Sequence, residues 1–230
     1  MTTRWLTFDC FGTLVDWRHG ISTTAELLFP GRGAEVLDAY NRAEPVLESE
    51  APHRRYREVL TEGMRRASQE LSLPLNEDDA PALTATIPHW PVFADVGPAL
   101  TACRTAGWSL ALLTNCDRDL IALTLRRLPV RIDAVVTAED AGAYKPAHAH
   151  FLQFEESFGV SRDRWVHVAQ SYFHDIRSAH ALGIRRIWIN RLRETDDPSL
   201  ADAVLPDLRL LPSTVSELER ASAASPDCRA

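Results

Sequence analysis

Cysteine is scarce in this sequence, and no two cysteines stand at the short spacing that metal sites use. The 230 residues contain four, which are Cys10, Cys103, Cys116 and Cys228. Four scattered thiols provide neither the disulfide framework of a small secreted domain nor a thiolate cage for zinc. The start of the chain also lacks a cationic region followed by an apolar segment, as a secretory leader would have. We therefore expect reduced thiols and a cytoplasmic protein.

Long hydrophobic runs and an excess of basic residues are also missing. No stretch approaches the roughly 20 apolar residues that a membrane-spanning helix needs. Lysine and arginine number 25 against 32 aspartates and glutamates, which leaves a net charge of −7. An acidic chain has no basic footprint for nucleic acid and no attraction to anionic lipid. We expect neither nucleic acid nor a membrane as a partner.

What is present, close to the amino terminus, is an apolar run that leads to a single acid. Residues 5–8 read Trp-Leu-Thr-Phe, and Asp9 follows, with Gly12 and Thr13 breaking the run. This pattern predicts a buried strand with a tight loop at its carboxyl end. Open α/β sheets bind ligands at that position. Taken alone, Asp9 could equally be a structural acid, so the rest of the chain must decide its role.

The remaining sequence changes from a helical block to an alternation of strands and helices. From about residue 21 to residue 83, apolar residues recur at helical spacing. Further strands are predicted near 108–115, 132–137, 165–170, 184–190 and 203–205. Strands that alternate with helices predict an α/β protein with a doubly wound parallel sheet. We predict an α/β core domain over 1–16 and 92–230, a helical cap domain over 17–91, and a frayed tail from about residue 222.

Polar residues follow several of the predicted strands. They are Asp9, Thr114, Asn115, Lys145 in the loop beyond the third strand, and the stretch 170–175. The carboxyl ends of parallel strands meet at one edge of a sheet, so these distant residues are expected to become neighbours. Each has an ordinary structural explanation when taken singly. Their convergence favours an active site.

The segment Phe8-Asp9-Cys10-Phe11-Gly12-Thr13-Leu14 resembles the first motif of the haloacid dehalogenase superfamily, whose members use that aspartate as a covalent nucleophile. The later polar residues resemble the other three motifs, in order and over nearly the whole chain. The resemblance implies a Rossmann-type core with a cap that covers the nucleophile. It assigns Lys145 to stabilising the charge of Asp9, and Asp175 either to holding Lys145 or to orienting water.

Two departures from the superfamily's phosphatases point to its dehalogenase branch. The phosphatases carry a second aspartate two positions after the nucleophile, where this chain has Phe11, and an acid five positions before the last aspartate, where it has Gln170. A neutral amide is a poor replacement for the charge that Mg²⁺ prefers. We therefore expect no metal and no cofactor. The alternative is a magnesium-dependent phosphatase acting on a small phosphomonoester, with Asp9, Phe11 and Asp175 as the metal ligands.

By resemblance to the type II L-2-haloacid dehalogenases, the expected activity is hydrolytic cleavage of the carbon–halogen bond of short 2-haloalkanoic acids, which are small carboxylate substrates of (S) configuration. Residues expected to contact the substrate or the halide are Phe11, Thr13, Arg42, Thr114, Asn115 and Gln170. Arg42 is chosen as the halide-binding arginine of the cap, with Arg54, Arg55 and Arg57 as competitors. The resemblance also implies a homodimer, although no interface is legible in the sequence.

Three departures from the dehalogenases leave a further alternative open. Phe151 stands where they carry a tyrosine, and Gln170 and Tyr172 stand where they carry serine and asparagine. In the dehalogenases these positions are expected to contact the carboxylate of the substrate. The departures could therefore mark a branch with another substrate. A third hypothesis, which explains why the family motif around the cap arginine is poorly reproduced, is a catalytically quiet member that uses the same cleft for binding or protein contact.

Overall fold

A six-stranded parallel sheet forms the centre of the computed structural model, which describes residues 3–50 and 54–224. Its strands are β1 (Trp5–Phe8), β2 (Ser109–Thr114), β3 (Ala134–Thr137), β4 (Trp165–Ala169), β5 (Arg185–Ile189) and β6 (Ala203–Leu205). Across the sheet they lie in the order β3-β2-β1-β4-β5-β6. The chain thus winds outward from β1 in both directions, which confirms the predicted α/β fold. It also leaves the end of β1 between the ends of β2 and β4.

Both faces of the sheet are covered by helices. In chain order these are α1 (Trp17–Leu28), α2 (Gly33–Ser49), α3 (Tyr56–Glu70), α4 (Ala82–Thr86), α5 (Val96–Thr105), α6 (Arg118–Leu125), α7 (Ala138–Ala141), α8 (Ala149–Phe158), α9 (Arg177–Ala181) and α10 (Leu211–Ala224). Leu6 and Phe8 of β1 pack into a core shared with α5 and α10. Trp5 packs into a second core with α8 and α9. Burial on both faces explains why the strands are continuously apolar.

The segment predicted as a cap is helical from α1 to α4, and the core holds it through Asp117, a residue between β2 and α6. Its carboxylate accepts hydrogen bonds from the backbone N–H groups of Tyr56 (2.8 Å) and Arg57 (3.0 Å), at the start of α3. A buried anion at a helix amino terminus satisfies free N–H groups and complements the helix dipole. The domain boundaries at 16/17 and 91/92 stay predictions, and residues 51–53 of the segment lie outside the described residues.

Helix α10 was not predicted from the sequence, although its residues Leu211 and Val215 are buried in the larger core. The frayed tail expected from residue 222 falls mostly outside the described residues, as does Cys228. Cys10, Cys103 and Cys116 are free and buried. Within residues 3–50 and 54–224, no helix has both the length and the apolar composition of a membrane-crossing segment.

Helices α2 and α3 approach closely because Gly63 faces the ring of Tyr40. A Cβ atom at Gly63 would lie 2.5 Å from Cε2 of Tyr40, which is wholly buried. We expect Gly63→Ala to lower the free energy of unfolding by about 1–3 kcal/mol through overpacking, although alanine has a higher helix propensity by ~1 kcal/mol. Chemical denaturation measures this change.

Gln69→Ala on the exposed side of the same helix is the control, and we expect its effect to be within about 0.5 kcal/mol. A Gly63→Ala variant that is as stable as this control would show that the two helices can separate at no cost.

Candidate active site

Asp9 lies directly after β1 with both carboxylate oxygens hydrogen-bonded. Oδ1 accepts from Nζ of Lys145 at 3.0 Å, and Oδ2 accepts from Oγ1 of Thr13 at 2.9 Å. The residue is only 7% exposed. Burial raises the pKa of the Asp9 carboxyl, and the ammonium of Lys145 opposes that shift. The side chain is fixed in orientation and still reaches the cavity described below.

The loop after β1 is joined to the end of β4 through Thr13. Its hydroxyl donates to Asp9 and accepts a hydrogen bond from the backbone N–H of Gln170 at 2.8 Å. Gly12 permits this approach, since its φ is +100° and a Cβ there would lie 2.8 Å from Oε1 of Gln170. Thr13 is fully buried below the cavity. It therefore orients Asp9, whereas the sequence had suggested direct contact with the substrate or halide.

Lys145 is almost completely buried, and its ammonium group uses all three donors. Nζ donates to Oδ1 of Asp9 (3.0 Å), to Oδ1 of Asp175 (2.7 Å) and to the carbonyl of Leu113 (2.9 Å). Burial would lower the pKa of Lys145, but the two carboxylates outweigh it and the pKa is raised. Lys145 therefore carries a positive charge at neutral pH, beside the carboxylate that would act as nucleophile.

Asn115 fixes the loop that carries Lys145. Its Oδ1 accepts from the backbone N–H of Lys145 at 2.8 Å, and its Nδ2 donates to the carbonyl of the same residue at 3.2 Å. This reciprocal pair ties the end of β2 to the loop beyond β3. Asn115 and its neighbour Thr114 also line the cavity, as the sequence predicted.

Asp175, in a π-helical turn after β4 (Tyr172–Ile176), completes a buried cluster of three charges. Its Oδ1 accepts from Lys145 and lies 2.9 Å from Nε2 of His167. Burial would raise the pKa of Asp175, but Lys145 and His167 outweigh it and hold the pKa well below its usual range. Oδ2 has no hydrogen-bond partner among the described residues. Oδ1 of Asp175 is therefore held by two hydrogen-bond partners, whereas Oδ2 can still accept a hydrogen bond.

A cavity of about 280 Å³ opens above this cluster, between the edge of the sheet and the cap. Of the residues predicted from the sequence, it is lined by Asp9, Phe11, Thr114, Asn115, Lys145, Gln170 and Asp175. Trp17 and Tyr56 line it too, as do Ser171 and His174 of the polar stretch 170–175. The lining residues that the sequence did not single out are Arg18, Asn41, Glu44, Glu48, Cys116, Leu192 and Glu194.

The choice of Arg42 as the cap arginine at the site is wrong in position. Its guanidinium pairs with Glu70 at 2.5 Å, and the side chain is 59% exposed. On α2, the residues that face the cavity are Asn41, Glu44 and Glu48, at the i, i+3, i+7 spacing of one helix face. Arg42 is one residue, or about 100°, away from that face. Helical spacing in the sequence groups these three residues on one face of the helix, but it does not say which face meets the cavity.

The competing arginines of the cap lie outside the cavity too. Arg54 pairs with Glu50, Arg55 with Glu139 and Arg57 with Asp117. The cap guanidinium that lines the cavity belongs to Arg18, on the first turn of α1, where it lies 5.6 Å from the ring of Trp17. Arg18 is therefore the candidate for an anionic group of the substrate.

The cap wall contributed by α2 is acidic and hydrogen-bonded. Oε1 of Glu44 accepts from the hydroxyls of Tyr40 and Tyr56, both at 3.0 Å. Glu48 lies 3.6 Å from Nε2 of His174, whose Nδ1 is 2.9 Å from Oγ of Ser171. Burial, reinforced by the charge of Glu48, raises the pKa of Glu44 to about 7. An anionic substrate group would avoid this wall.

The sheet edge carries few charged groups that could bind a divalent cation. Within the described residues, no group of three His, Cys, Asp or Glu side chains has a geometry that could hold a metal ion. Phe11 contributes no carboxylate, and Nε2 of Gln170 donates to Glu194 at 3.2 Å. Oδ1 of Asp9 and Oδ1 of Asp175 are both occupied by Lys145. The ligand set named for the phosphatase alternative offers Mg²⁺ two carboxylates, each with one oxygen held by Lys145, and the neutral carbonyl of Phe11, which is a sparse set for this ion.

Comparison with known proteins agrees with this architecture. A model of the family "haloacid dehalogenase-like hydrolase" matches residues 3–183. The chain therefore belongs to the haloacid dehalogenase-like hydrolases, as its motifs suggested. The crystal structure of the L-2-haloacid dehalogenase RSc1362 has the same fold, with a TM-score of 0.85, 24% identity, and coverage of 94% of this chain and 100% of that one.

Relatives of both activities are found by sequence. Haloacetate dehalogenase H-2 of Moraxella sp. (strain B) is 27% identical over 194 residues, which span 81% of this chain and 85% of that protein. A phosphoserine phosphatase of Thermus thermophilus is 29% identical over 124 residues, which span 53% of this chain and 48% of that protein. The family is settled at the level of a hydrolase, and the reaction must be inferred from the site.

The raised pKa of Glu44 makes stability depend on pH. The folded chain keeps this proton up to about pH 7, whereas the unfolded chain loses it near the ordinary value of 4.5. Stability therefore declines as pH rises from about 4.5 through 7. Glu44→Gln keeps an oxygen acceptor for both tyrosines and removes the charge. We expect its melting temperature to exceed that of the wild type by more at pH 8.5 than at pH 5.0.

The exposed Glu156→Gln on α8 is the matched control, and its difference from the wild type is expected not to change between these two pH values. An equal offset for Glu44→Gln at both pH values would contradict the titration of Glu44 in the folded protein. Differential scanning fluorimetry measures all of these values.

Proposed function

We propose that this chain is a hydrolytic dehalogenase of short 2-haloalkanoic acids in which Asp9 forms a covalent ester with the substrate. The observation that carries the proposal is the buried ammonium of Lys145, bound to both Asp9 and Asp175, with Phe11 at the position of the phosphatases' second acid. An oriented carboxylate beside a fixed cation suits nucleophilic attack on carbon. No carboxylic acid at position 11 is available to protonate an alkoxide leaving group, and a halide needs no such proton.

In the first step, one carboxylate oxygen of Asp9 attacks the carbon that bears the halogen. The new carbon–oxygen bond forms as the carbon–halogen bond breaks, and the halide leaves with that bonding pair. Hydrogen bonds from Lys145 and Thr13 orient the carboxylate without competing for its attacking lone pair. Holding the reacting groups in line supplies much of the rate.

In the second step, water attacks the carboxyl carbon of Asp9 in the ester, and the hydroxy acid leaves. The attacking water loses a proton and the departing hydroxyl gains one, so Asp9 is regenerated with one oxygen from water. Lys145 lies where it can stabilise the negative charge on the tetrahedral intermediate. Asp175 serves this step either by holding Lys145 with Oδ1 or by orienting the water with its free Oδ2.

Charges around the cavity favour one orientation of the substrate. Glu48, joined by Glu44 once it ionises at about pH 7, repels a carboxylate from the α2 wall, whereas Arg18 attracts it to the α1 wall. The ring of Trp17 lies 5.6 Å from the Arg18 guanidinium, and Glu194, another lining residue, also interacts with this charge. We propose that Arg18 binds the substrate carboxylate or the departing halide, in the role first predicted for Arg42.

The two other hypotheses, a phosphatase and a binding protein, explain fewer features of the site than the dehalogenase does. A magnesium-dependent phosphatase would need charged ligands that Phe11 and Gln170 do not supply. A quiet binding protein would have no use for a buried ammonium held between two carboxylates, because such a cluster costs several kcal/mol per ion in desolvation. The following test has a distinct expected result for each of these two hypotheses.

We expect Asp9→Asn to reduce halide release from 2-chloropropionate and bromoacetate by at least about a thousandfold, because the amide is a poor nucleophile. Wild-type release should persist in EDTA. A single turnover in ¹⁸O-labelled water should place the label in the Asp9 carboxylate, as detected by mass spectrometry of peptides. Release of phosphate that EDTA abolishes, with no release of halide, would support the phosphatase. No turnover of either substrate class would support the binding protein.

Arg18→Ala and Arg42→Ala form a matched pair for the anion site. We expect Arg18→Ala to raise KM for 2-chloropropionate by about 10- to 100-fold, because a charge-assisted contact is lost. Arg42→Ala removes a largely exposed pair with Glu70 and should leave both kinetic constants near those of the wild type. A raised KM in Arg42→Ala together with an unchanged KM in Arg18→Ala would instead identify Arg42 as the anion-binding residue.

A further inference from the structure

A buried histidine beneath the site is not used by the mechanism above. His167 lies in the middle of β4, is fully buried, and comes within 2.9 Å of Oδ1 of Asp175 through Nε2. It belongs to none of the residues that the sequence singled out. Its strand neighbour across the sheet is Thr7 of β1.

The partners of the two ring nitrogens indicate which tautomer the neutral ring adopts. Nε1 of Trp165 can only donate, and it donates to Oγ1 of Thr7 at 2.7 Å. The hydroxyl proton of Thr7 is then directed to Nδ1 of His167, 2.8 Å away, which makes Nδ1 an acceptor. Nε2 faces the carboxylate of Asp175, which can only accept. The neutral ring therefore carries its proton on Nε2 and donates it to Asp175.

The ring is also held sterically. Phe151 of α8 contacts it edge to face, with the ring centroids 4.9 Å apart and an interplanar angle of 75°. Phe151 is fully buried and belongs to the smaller core. His167 therefore has one orientation, set by strand pairing on one side and by packing on the other.

We propose that His167 is a positioning residue for the active site, acting through Asp175 on Lys145; this rests on the proposed function. Asp175 binds the protein through Oδ1 alone, since Oδ2 has no partner among the described residues. Without the donor from His167, the carboxylate can rotate about its Cβ–Cγ bond. Lys145 would follow it, because its 2.7 Å hydrogen bond to Asp175 is shorter than its 3.0 Å hydrogen bond to Asp9.

The same network connects the interior of the sheet with the nucleophile. It runs from Trp165 through Thr7 and His167 to Asp175, Lys145 and Asp9. Its inner members lie on β1 and β4, the two strands whose loops also carry Asp9 and Asp175. Because the pairing of β1 with β4 fixes the inner members of this network, it also fixes the orientation of the Asp9 carboxylate.

Two substitutions at position 167 separate positioning from stability. An asparagine places its amide near the position of Nδ1, so His167→Asn can keep the contact with Thr7 but loses the donor to Asp175. A glutamine places its amide near the position of Nε2, so His167→Gln can donate to Asp175 but loses the contact with Thr7. Each variant loses one hydrogen bond, and we expect similar decreases in melting temperature.

We expect kcat for halide release to fall about 10- to 100-fold in His167→Asn with little change in KM, because the nucleophile is misplaced while the binding wall is intact. In His167→Gln, kcat should stay within about fivefold of the wild type. Equal loss of kcat in both variants, in proportion to lost stability, would overturn the proposal. So would a fully active His167→Asn.

Crystal structures of both variants give a readout that does not depend on activity. We expect Nζ of Lys145 to move away from Oδ1 of Asp9 in His167→Asn and to stay in place in His167→Gln. If the wild type releases no halide, the proposed function fails, whereas the positioning of Lys145 is still tested by this distance. An unchanged cluster in His167→Asn would overturn the inference even in an active dehalogenase.

Discussion

The structure depends on one buried ammonium group, that of Lys145, shared by the carboxylates of Asp9 and Asp175. Two carboxylates this close would repel each other strongly in a medium of low dielectric constant, and one of them would take up a proton. The ammonium between them removes that repulsion and leaves a net charge of −1 for the cluster. Removing Lys145 would leave two buried carboxylates without compensation, and breaking a buried ion pair in this way typically costs about 3–5 kcal/mol.

The fold is arranged to satisfy this cluster from several directions. The loop after β1 supplies Thr13, β2 supplies the carbonyl of Leu113, and Asn115 fixes the loop of Lys145. His167 lies below the cluster, inside the sheet. Since these groups come from different strands, the parallel register has to be correct before the charges can be compensated. The charged cluster that forms the active site therefore also stabilises this edge of the sheet.

The cap completes the site with an asymmetric charge distribution. Glu44 and Glu48 of α2 contribute carboxyl groups to the lining, whereas α1 contributes the guanidinium of Arg18 and the ring of Trp17. Glu194 adds a further carboxyl group that interacts with Arg18. A small anion entering the cavity would experience opposite fields from the two walls, and this would orient it before reaction.

The sequence alone determined the α/β fold, the order of its elements, and the convergence of Asp9, Asn115, Lys145 and Asp175, because apolar runs that end in polar residues define parallel strands and their carboxyl ends. Only the tertiary structure decided which face of α2 meets the cavity, and so placed Glu44 and Glu48 inside and Arg42 outside. It also revealed His167, which the sequence presents only as one residue of an apolar strand. Hydrogen bonds between β1 and β4 join residues about 160 positions apart, and such partners are chosen by packing, which no local pattern encodes.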